Sequence, residues 1–398
     1  MAVDSDVIIA GAGPAGAVAA FMLASMGIRV LVIEKEIFPR YKVCGGGLTY
    51  RCLKELPVDI SPVVESEINS IRFSLNFKDV FTCTSTEQLM VCTMRDRLDD
   101  YLISKAREAG AEVHFKEKIT GIQLAGKTEI ITDKQVYHTR MVIGADGASS
   151  IIARSAGLKK DLMKGLAWEA EIYPESGFLK ENSHTVFLDW GTFPGGYGWV
   201  FPKKDHVSVG VGGPAILSQH MMPYYSKFIK YAGIEGNGIT NSLRSWPIPV
   251  RQKKGIFHKG TIVVAGDAAG LSDPLTGEGI CYAVMSGKIA AEACKNYLDG
   301  DPHALERYSE VINGKVMNEL MEATRIKSLF NIVPGKIHRF VRDSDRAWRA
   351  MGKILRGERQ YSDVKNGFKK WKVIWGAACR ISGELEKIKE RRFLRNGI

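Results

Sequence analysis

The stretch DSDVIIAGAGPAGAVAAFMLASMGIRVLVIEK at residues 4–35 decides the fold of this chain. Its first apolar run, 7–10, predicts a buried strand, and residues 14–26 predict an alanine-rich helix that can lie close to a sheet. A second apolar run, 29–33, predicts another strand, which ends at Glu34. The turn between strand and helix is Gly-x-Gly-x-x-Gly, so the stretch has the order of elements that is typical of a dinucleotide-binding fold.

The three glycines and the acid each have a physical role in such a fold. Gly11 permits the tight turn, Gly13 lets the backbone approach a pyrophosphate, and Gly16 lets helix and strand pack without a side chain between them. The helix N-terminus offers unpaired N–H groups and a partial positive charge to the phosphates. Glu34 follows Gly16 by 18 residues, where a carboxylate can accept hydrogen bonds from a ribose hydroxyl. This context favours a nucleotide site over an isolated glycine-rich turn.

The composition is that of an ordinary globular protein. The 398 residues are 45% hydrophobic, enough for two closely joined domains. The cysteines are odd in number, contain no Cys-x-x-Cys pair and lack metal-ligand spacing, so we expect no disulfides and no metal site. They are Cys44, Cys52, Cys83, Cys92, Cys281, Cys294 and Cys379. A cytoplasmic location fits this pattern best, and the chain enters its first strand too early for a signal peptide.

The net charge of +11 is concentrated near the C-terminus. Residues 331–398 hold 18 Lys+Arg and 7 Asp+Glu, which accounts for the whole excess. Helices are predicted at 302–333, 336–356 and 361–393. The last has an apolar face made of Phe368, Trp371, Ile374, Trp375 and Ala378. Such a helix either lies peripherally on an anionic membrane or docks on its own protein, and no base-reading motif accompanies the charge, so we expect no nucleic-acid partner.

Four further segments follow the dinucleotide motif. They are RYKVCGGGL (40–48), MRDRLDDYL (94–102), GADGASS (144–150) and GDAAGLSDPLTGEGI (266–280). The three consecutive glycines after Cys44 leave a loop with almost no side-chain cover, which suits close approach of the backbone to a flat ligand. By itself the same loop is also a plausible flexible connection to the next helix.

Between these segments the sequence alternates between strands and helices. Residues 68–92 are predicted as strands of an added sheet, and 94–110 as a helix. Shorter apolar runs predict strands that return to the nucleotide-binding sheet. These runs are 113–115, 119–124, 129–132, 141–143 and 261–265. A middle region then holds predicted strands at 166–173, 185–189, 197–201 and 207–211, with a helix near 219–232.

In this order and at these spacings, the motifs resemble the para-hydroxybenzoate-hydroxylase-like FAD flavoproteins. Within that group, KVCGGGL at 42–48 and GYGWVFPK at 196–203 resemble the geranylgeranyl reductase family. The resemblance covers about residues 3–300. It implies an α/β chain in which a Rossmann-type FAD-binding domain carries an inserted antiparallel-sheet substrate domain and a basic helical C-terminal region. The implied boundaries are 1–67, 94–158 and 255–300 for the first domain, 68–93 and 159–254 for the second, and 301–398 for the third.

The resemblance also implies the residues that hold non-covalent FAD. Gly11, Gly13, Ala15 and Gly16 would meet the pyrophosphate, and Glu34 the adenosine ribose. Cys44, Gly45 and Gly47 would line the flavin ring by backbone. The remaining contacts would come from Arg95 at the phosphates and ribityl chain, the Ile119 backbone at the adenine, Asp267 at a ribityl hydroxyl, and Gly279 and Ile280 at the pyrimidine edge of the flavin.

The middle region supplies the expected catalytic residues. Tyr197, Trp199 and Phe201 alternate along one strand, so their rings share one face. They are interpreted either as an aromatic wall against an isoprenoid chain or as ordinary core. Cys44 is the proton-bearing side chain that the motif places at the flavin, but a thiol is a poor acid for an alkene, so a positioning or relay role is expected.

A second glycine-rich segment, GVGGPA at 210–215, follows the strand that begins at Val207. No acid ends a following strand about 20 residues on, as a dinucleotide fold requires. The segment is therefore interpreted as the terminus of a sheet, and the sequence offers no second Rossmann domain for NADPH.

Three functions remain open from the sequence. The first is an FAD-dependent reductase of isolated C=C bonds in polyprenyl lipids, supplied by an external donor such as NAD(P)H or ferredoxin. The second is an aromatic monooxygenase or halogenase, and the third is an electron-transfer flavoprotein that reduces quinone. The CGGG and YGWVFPK segments favour the reductase. The chain lacks the Trp-x-Trp-x-Ile-Pro stretch expected of a halogenase. It also lacks the cysteine cluster that a quinone-reducing flavoprotein would use for an iron–sulfur centre.

Overall fold

The computed structural model describes residues 4–125, 127–159, 162–175, 177–234, 238–239 and 243–363. The helices are α1 (Pro14–Ser25), α2 (Tyr50–Glu55), α3 (Arg95–Glu108), α4 (Ile151–Ser155), α5 (Phe178–Asn182), α6 (Met221–Ala232), α7 (Ile280–Leu298), α8 (Ala304–Val311), α9 (Asn318–Ile332), α10 (Pro334–Arg342) and α11 (Asp345–Leu355). Short 3-10 segments lie at Ser61–Val63, Ala215–His220 and Gly266–Ala269, and a π-helical turn at Ile312–Met317 joins α8 to α9.

The strands form three sheets. They are β1 (Ser5–Ala10), β2 (Val30–Ile33), β3 (Gly47–Thr49), β4 (Val64–Ile68), β5 (Ser70–Leu75), β6 (Lys78–Thr84), β7 (Met90–Thr93), β8 (Glu112–His114), β9 (Ile119–Ala125), β10 (Lys127–Thr132), β11 (Val136–Gly144), β12 (Leu162–Tyr173), β13 (Thr185–Trp190), β14 (Tyr197–Pro202), β15 (Val207–Pro214), β16 (Gly238–Ile239), β17 (Arg244–Arg251), β18 (His258–Lys259) and β19 (Ile262–Val264).

The first sheet is the predicted nucleotide-binding sheet. Its order is β18-β19-β11-β1-β2-β8, and the pairs β19-β11, β11-β1, β1-β2 and β2-β8 are parallel. Antiparallel β10 and β9 extend it beside β11. Because α1 is rich in alanine and glycine, it lies close to β1 and packs against α3 and α7. The predicted strand, turn, helix and strand at the N-terminus are confirmed within one or two residues.

The second sheet has the order β16-β12-β15-β14-β13-β5-β6, with β17 paired to β12. It is antiparallel as predicted except between β13 and β5, which are parallel. Those two strands are far apart in the chain, so no hairpin sets their relative direction. Helix α6 covers one face of this sheet and forms a separate apolar core there with β14 and β15.

Four details of the prediction are wrong, each for a local reason. Strand β7, within the predicted 68–92 segment, pairs with β3 and β4 in a separate three-stranded sheet. The 210–215 segment is not a sheet terminus, because β15 runs through its glycines under the Trp199 ring. Strand β17 was missed because prolines interrupt it, which an edge strand tolerates.

The fourth difference is in the C-terminal region. The predicted helix over 336–356 is two helices, α10 and α11, which break at Asp343 and Ser344. The Ser344 hydroxyl accepts a hydrogen bond from the Ala347 N–H at 3.2 Å and so starts a new helix.

The predicted basic helix at 361–393 falls almost wholly outside the described residues. Among the helices of the described ranges, none is both long and apolar enough to cross a membrane.

Candidate active site

The turn after β1 is built to bring backbone N–H groups close to a ligand. Gly11 has φ +94°, and a Cβ there would lie 2.6 Å from the Ala145 carbonyl oxygen. Gly13 is the N-cap of α1, no side chain caps that helix, and the space around its Cα is open. The first N–H groups of α1 therefore point into free space, which is the arrangement that binds phosphate.

Gly16 was predicted to meet the pyrophosphate, but it does not line the cavity. A Cβ at Gly16 would overlap the Gly11 carbonyl oxygen and would lie 3.2 Å from the Ile9 side chain. Its role in the fold is to let α1 pack on β1. The other predicted residues of this motif, Gly11, Gly13 and Ala15, do line the cavity.

Glu34 ends β2 as predicted and is buried. Its Oε2 accepts a hydrogen bond from the Ala12 N–H at 2.8 Å, and its Oε1 accepts one from the Glu36 N–H at 3.0 Å. These bonds hold the carboxylate at the edge of the cavity beside Ile119, the first residue of β9.

Arg95 and Asp267 approach the same cavity from different elements. Arg95 starts α3, and its Nε and Nη2 donate to the Asp99 carboxylate at 2.8 and 2.7 Å. This buried pair fixes the guanidinium. Burial lowers the pKa of Arg95, but the neighbouring Asp99 carboxylate outweighs burial and raises it. Asp267 follows β19 and accepts a hydrogen bond from the Ser272 hydroxyl at 3.1 Å. Gly279, the N-cap of α7, lies beside this carboxylate.

The Cys44–Gly47 loop packs directly on β14. A Cβ on Gly45 would overlap the Phe201 ring and would lie 3.0 Å from the Trp199 indole nitrogen. The buried Lys203 ammonium holds the loop by donating to the Gly45 carbonyl oxygen at 2.7 Å and to the Thr93 carbonyl oxygen at 3.1 Å. Gly45 is therefore required by the close approach of aromatic rings, and Gly46 and Gly47 leave room for the Thr93 carbonyl oxygen and the Met90 side chain. The loop is not a free connection.

The three aromatic residues of β14 line one cavity together. The Tyr197 hydroxyl donates to the Thr276 carbonyl oxygen at 2.5 Å, which ties β14 to the segment before α7. The Tyr197 and Trp199 ring centroids are 5.5 Å apart. Side chains at Gly210 or Gly212 would contact the Trp199 ring, so the glycines of β15 make room for it.

The sequence prediction missed two charged residues of the cavity. Glu169 on β12 is fully buried, and its Oε1 accepts a hydrogen bond from the Cys44 N–H at 2.8 Å. Lys42 lies with its ammonium 3.2 Å from the centre of the Trp246 ring, and burial lowers its pKa to about 7. Glu169 lies in the strand predicted at 166–173, where no role was assigned to it, and Lys42 belongs to the KVCGGGL segment but was assigned no contact.

One cavity of about 2310 Å³ is lined by Gly11, Glu34, Lys42, the Cys44–Gly47 loop, Arg95, Glu169, Asp267 and the aromatic residues of β14. One part, which we call the nucleotide arm, runs from Gly11 and Glu34 to the Cys44–Gly47 loop. The other part, which we call the apolar arm, lies between the second sheet and helices α9 to α11. Its lining includes Ile71, Phe73, Leu188 and Trp190 from the sheet, and Leu329, Phe330, Ile337 and Met351 from the helices. The cavity is more than twice the size of an ordinary small-molecule site, which is about 300–1,000 Å³.

The rim of the apolar arm is basic. Lys327, Arg346, Arg349 and Lys353 line it, and the exposed Phe340 lies among them with 53% of its surface accessible. The sequence shows the excess positive charge of residues 331–398 but not this rim, because only the packing of helices α9 to α11 brings its residues together.

The glycine loop, the uncapped N-terminus of α1 and the fixed Glu34 carboxylate fit the phosphates and ribose of a dinucleotide. A family model described as an FAD binding domain matches residues 4–170. The fold and site thus define an FAD-dependent oxidoreductase, and its cofactor is FAD.

Sequence and structural relatives identify the family within this class of oxidoreductases. An uncharacterized protein of Methanosarcina barkeri is 36% identical over 318 residues, which cover 78% of this chain and 80% of the relative. The digeranylgeranylglycerophospholipid reductase of Methanocella arvoryzae is 30% identical over 347 residues, covering 82% and 87%. A crystal structure of a geranylgeranyl bacteriochlorophyll reductase-like protein from Thermoplasma acidophilum matches with a TM-score of 0.70 and 26% identity, covering 81% and 86%. The chain belongs to the geranylgeranyl reductase family of FAD-dependent oxidoreductases.

Proposed function

We propose that the protein saturates isolated C=C bonds of geranylgeranyl or related polyprenyl groups in a lipid or prenyl substrate. The observation that carries the proposal is the continuity of the cavity. Its nucleotide arm opens past the Cys44–Gly47 loop and β14 into an apolar arm that is long and lined by hydrocarbon side chains. A flat cofactor in the first arm would lie against a long hydrocarbon chain in the second.

We assign the cofactor contacts along the nucleotide arm. Gly11, Gly13 and Ala15 would receive the pyrophosphate of FAD, because the N-terminus of α1 is uncapped there. Glu34 would accept from the adenosine ribose, and Ile119 would present its backbone to the adenine.

The flavin end of the cofactor would be held by the second group of predicted residues. Cys44, Gly45 and Gly47 would line the ring, where the absence of side chains permits close contact. The further contacts would be Arg95 at the phosphates and ribityl chain, Asp267 at a ribityl hydroxyl, and Gly279 and Ile280 at the pyrimidine edge. The N-terminus of α7 favours negative charge at that edge.

Bound FAD supplies, in its reduced form, the hydride equivalent that the reaction needs. An isolated alkene has no carbonyl to accept electron density, so positive charge develops on carbon as a proton arrives. The protein must therefore hold the alkene close to the cofactor and exclude water. Trp199, Phe201 and the Cys44–Gly47 loop, which pack against one another, would form one continuous dry surface for that contact. Cys44 acts there as a positioning residue, because its backbone N–H is bound to Glu169.

The basic rim suggests how the substrate is oriented. Among the residues that the structure describes, no salt bridge is formed by Lys327, Arg346 or Arg349, whereas Lys353 lies near the Glu358 carboxylate. They would attract an anionic head group to the mouth while the polyprenyl chain enters the apolar arm.

The function is tested by reducing the FAD-loaded protein with dithionite under anaerobic conditions, adding a geranylgeranyl lipid, and measuring product mass. We expect a gain of two mass units per bond saturated together with oxidation of the flavin. The use of dithionite makes the result independent of the physiological electron donor. A protein that forms no saturated product but, in air, hydroxylates or halogenates an aromatic compound would replace this proposal with the monooxygenase or halogenase reading.

We further propose that the protein attaches peripherally to anionic membranes through residues 364–398. Basic residues near such a surface contribute about 1 kcal/mol each. The truncation should begin after residue 363, because Tyr361 is buried and its hydroxyl donates to Asp273 at 2.9 Å. We expect the truncated protein to keep its FAD and to lose flotation with anionic vesicles. Equal flotation of both forms would make the C-terminal region a structural element.

A further inference from the structure

Glu169 is a buried acid whose hydrogen bonding is incomplete. It lies on β12 with none of its surface accessible, yet it lines the cavity where the two arms meet. Its Oε1 accepts from the Cys44 N–H, and its Oε2 has no hydrogen-bond partner within the described ranges. Buried polar atoms are nearly always paired, so an unpaired carboxyl oxygen in a reaction cavity requires an explanation.

We propose that Glu169 donates the proton that completes alkene reduction. This inference rests on the function proposed above. In the step, the alkene π bond breaks, one carbon forms a C–H bond with the hydride equivalent from reduced FAD, and the other forms a C–H bond with the Glu169 carboxyl proton. The alkene is reduced by two electrons, the flavin is oxidised by two, and Glu169 is left as a carboxylate.

The surroundings of Glu169 keep its proton in place until it is needed. Burial, followed by the neighbouring Glu171, raises the pKa of Glu169 to about 8. Three groups act in the opposite direction by favouring the carboxylate: the Cys44 N–H, the Lys203 ammonium and the Trp199 indole N–H, which is near the carboxyl but forms no well-aligned hydrogen bond. At neutral pH the acid is therefore mostly protonated, while nearby donors can stabilise the anion that forms on proton transfer.

Other titratable groups complete this environment. Tyr41, from the segment before the Cys44 loop, has its pKa raised first by burial and then by Glu169 and Glu171. Burial and the same two carboxyls raise the pKa of Tyr225 on α6. Both phenols therefore stay protonated at neutral pH, and neither replaces Glu169 as the acid of the cavity. The Arg244 guanidinium lies 4.9 Å from the centre of the Tyr41 ring, and its charge partly opposes the rise in the pKa of Tyr41.

A series of polar groups that leads to solvent begins two residues from Glu169 on the same strand. Glu171 shares the face of β12, and its Oε2 accepts from the Ser208 hydroxyl at 2.8 Å and lies 3.0 Å from the His206 Nε2. The His206 Nδ1 is 2.7 Å from the carboxylate of Asp205, whose side chain is 69% exposed. Burial lowers the pKa of His206, but the nearby Glu171 and Asp205 carboxylates outweigh it and raise the pKa. We assign Glu171 and His206 as relay residues that return a proton from water to Glu169.

The first test is spectroscopic and does not require turnover. Infrared difference spectra between the parent and Glu169→Gln, both recorded with oxidised FAD bound, should show a protonated carboxyl band at neutral pH. The band should disappear as pH rises through about 8. A spectrum in which the Glu169 carboxyl is already ionised at pH 6 would overturn the proposal. This readout is informative even if no polyprenyl lipid is reduced, so it separates this inference from the proposed function.

The second test is single-turnover oxidation of the dithionite-reduced protein by a geranylgeranyl lipid. Glu169→Gln can still accept from the Cys44 N–H, so FAD binding should be kept while flavin oxidation slows by about 10²–10⁴-fold. Glu169→Asp should restore part of the rate. The parent rate should fall as pH rises through about 8, because the donor loses its proton, and the low rate of Glu169→Gln should not change with pH.

Glu65→Gln is the matched control, because Glu65 is also buried but pairs with Arg97 outside the cavity. It should oxidise reduced flavin as fast as the parent. If Glu169→Gln is also as fast as the parent while the parent makes saturated lipid, the proton donor is another group and the proposed function stands. If the parent makes no saturated lipid, the proposed function fails and the infrared result alone decides the protonation of Glu169.

The proposed relay through Glu171 and His206 predicts a separate effect on the rates of successive turnovers. Because Glu171 also raises the pKa of Glu169, the variant is compared well below pH 8, where Glu169 stays protonated without it. There Glu171→Gln should leave the first turnover close to the parent rate and should slow the following turnovers, increasingly as pH rises. A purely structural role would change both phases equally and would leave the shape of the pH profile unaltered. That result would remove Glu171 from the path.

Discussion

The two arms of the cavity are built in opposite ways. The nucleotide arm is made largely of backbone, from short segments in which glycine removes the side chain at each close approach. The apolar arm is made of side chains from β5, β13 and helices α9 to α11, which are up to about 280 residues apart in the chain. A backbone site tolerates almost no added atoms, whereas a side-chain site tolerates apolar exchange and is sensitive to polarity.

The largest expected effect follows from placing a charge in the apolar arm. Leu329→Asp would put a carboxylate where a hydrocarbon chain is expected to lie, and an effective penalty of several kcal/mol per buried ion opposes substrate entry. We expect reduction of a geranylgeranyl lipid to fall by more than 100-fold, while absorbance spectra show a full complement of FAD.

The matched control for this variant is Leu329→Met, which conserves volume and polarity. It should retain most of the activity. Loss of bound FAD in Leu329→Asp would contradict the separation of the two arms, and full activity would show that the substrate does not use the apolar arm.

An intermediate effect should distinguish two glycines of the same motif. Gly16→Ala should destabilise the fold by about 1–3 kcal/mol, because its Cβ would overlap the Gly11 carbonyl oxygen. Gly13→Ala meets nothing within the protein, so the thermal unfolding of the FAD-free form should stay near that of the parent. Its added methyl group should instead weaken FAD binding, measured by fluorescence titration.

The same two variants can contradict the different roles given to Gly13 and Gly16. If Gly13→Ala binds FAD as tightly as the parent, the open space at the N-terminus of α1 is not where the pyrophosphate lies. If Gly16→Ala unfolds at the parent temperature, the close packing of α1 on β1 is less strict than its backbone contact indicates.

The smallest expected effect concerns the basic rim. Arg346→Gln and Arg349→Gln remove exposed cations, and each should weaken binding of an anionic lipid by about 0.2–1 kcal/mol. The change should appear in KM, should diminish at high salt, and should be absent for geranylgeraniol, which has no charged head group. An equal loss for the charged and the neutral substrate would show that the arginines shape the channel and do not select the head group.

Much of the nucleotide arm could be predicted from sequence because its signals are local. Gly11, Gly13 and Glu34 belong to one strand-turn-helix-strand unit whose spacing is set by backbone geometry. The fold class, the FAD cofactor and the family followed from such segments and are confirmed by the family match and the relatives. The roles of the individual site residues stay predictions.

Errors arose where long-range packing decided the outcome. Strand β17 reads as a proline-rich loop until β12 supplies a partner at the sheet edge. Gly16 carries the same motif signal as Gly13, and only the position of α1 on β1 shows that it faces the protein and not the cavity. Helices α10 and α11 read as one helix because a single serine cap is a weak signal beside a continuous amphipathic pattern.

The sequence by itself determined that this chain binds a dinucleotide cofactor beside a glycine-rich loop and an aromatic strand, because those features depend on residues that are neighbours along the chain. Only the tertiary structure placed a buried acid, Glu169, in the cavity beside the Cys44–Gly47 loop. Glu169 on β12 meets Cys44 across 125 positions of sequence. Its burial and its neighbours set its protonation, and those are properties of three-dimensional packing that no local pattern records.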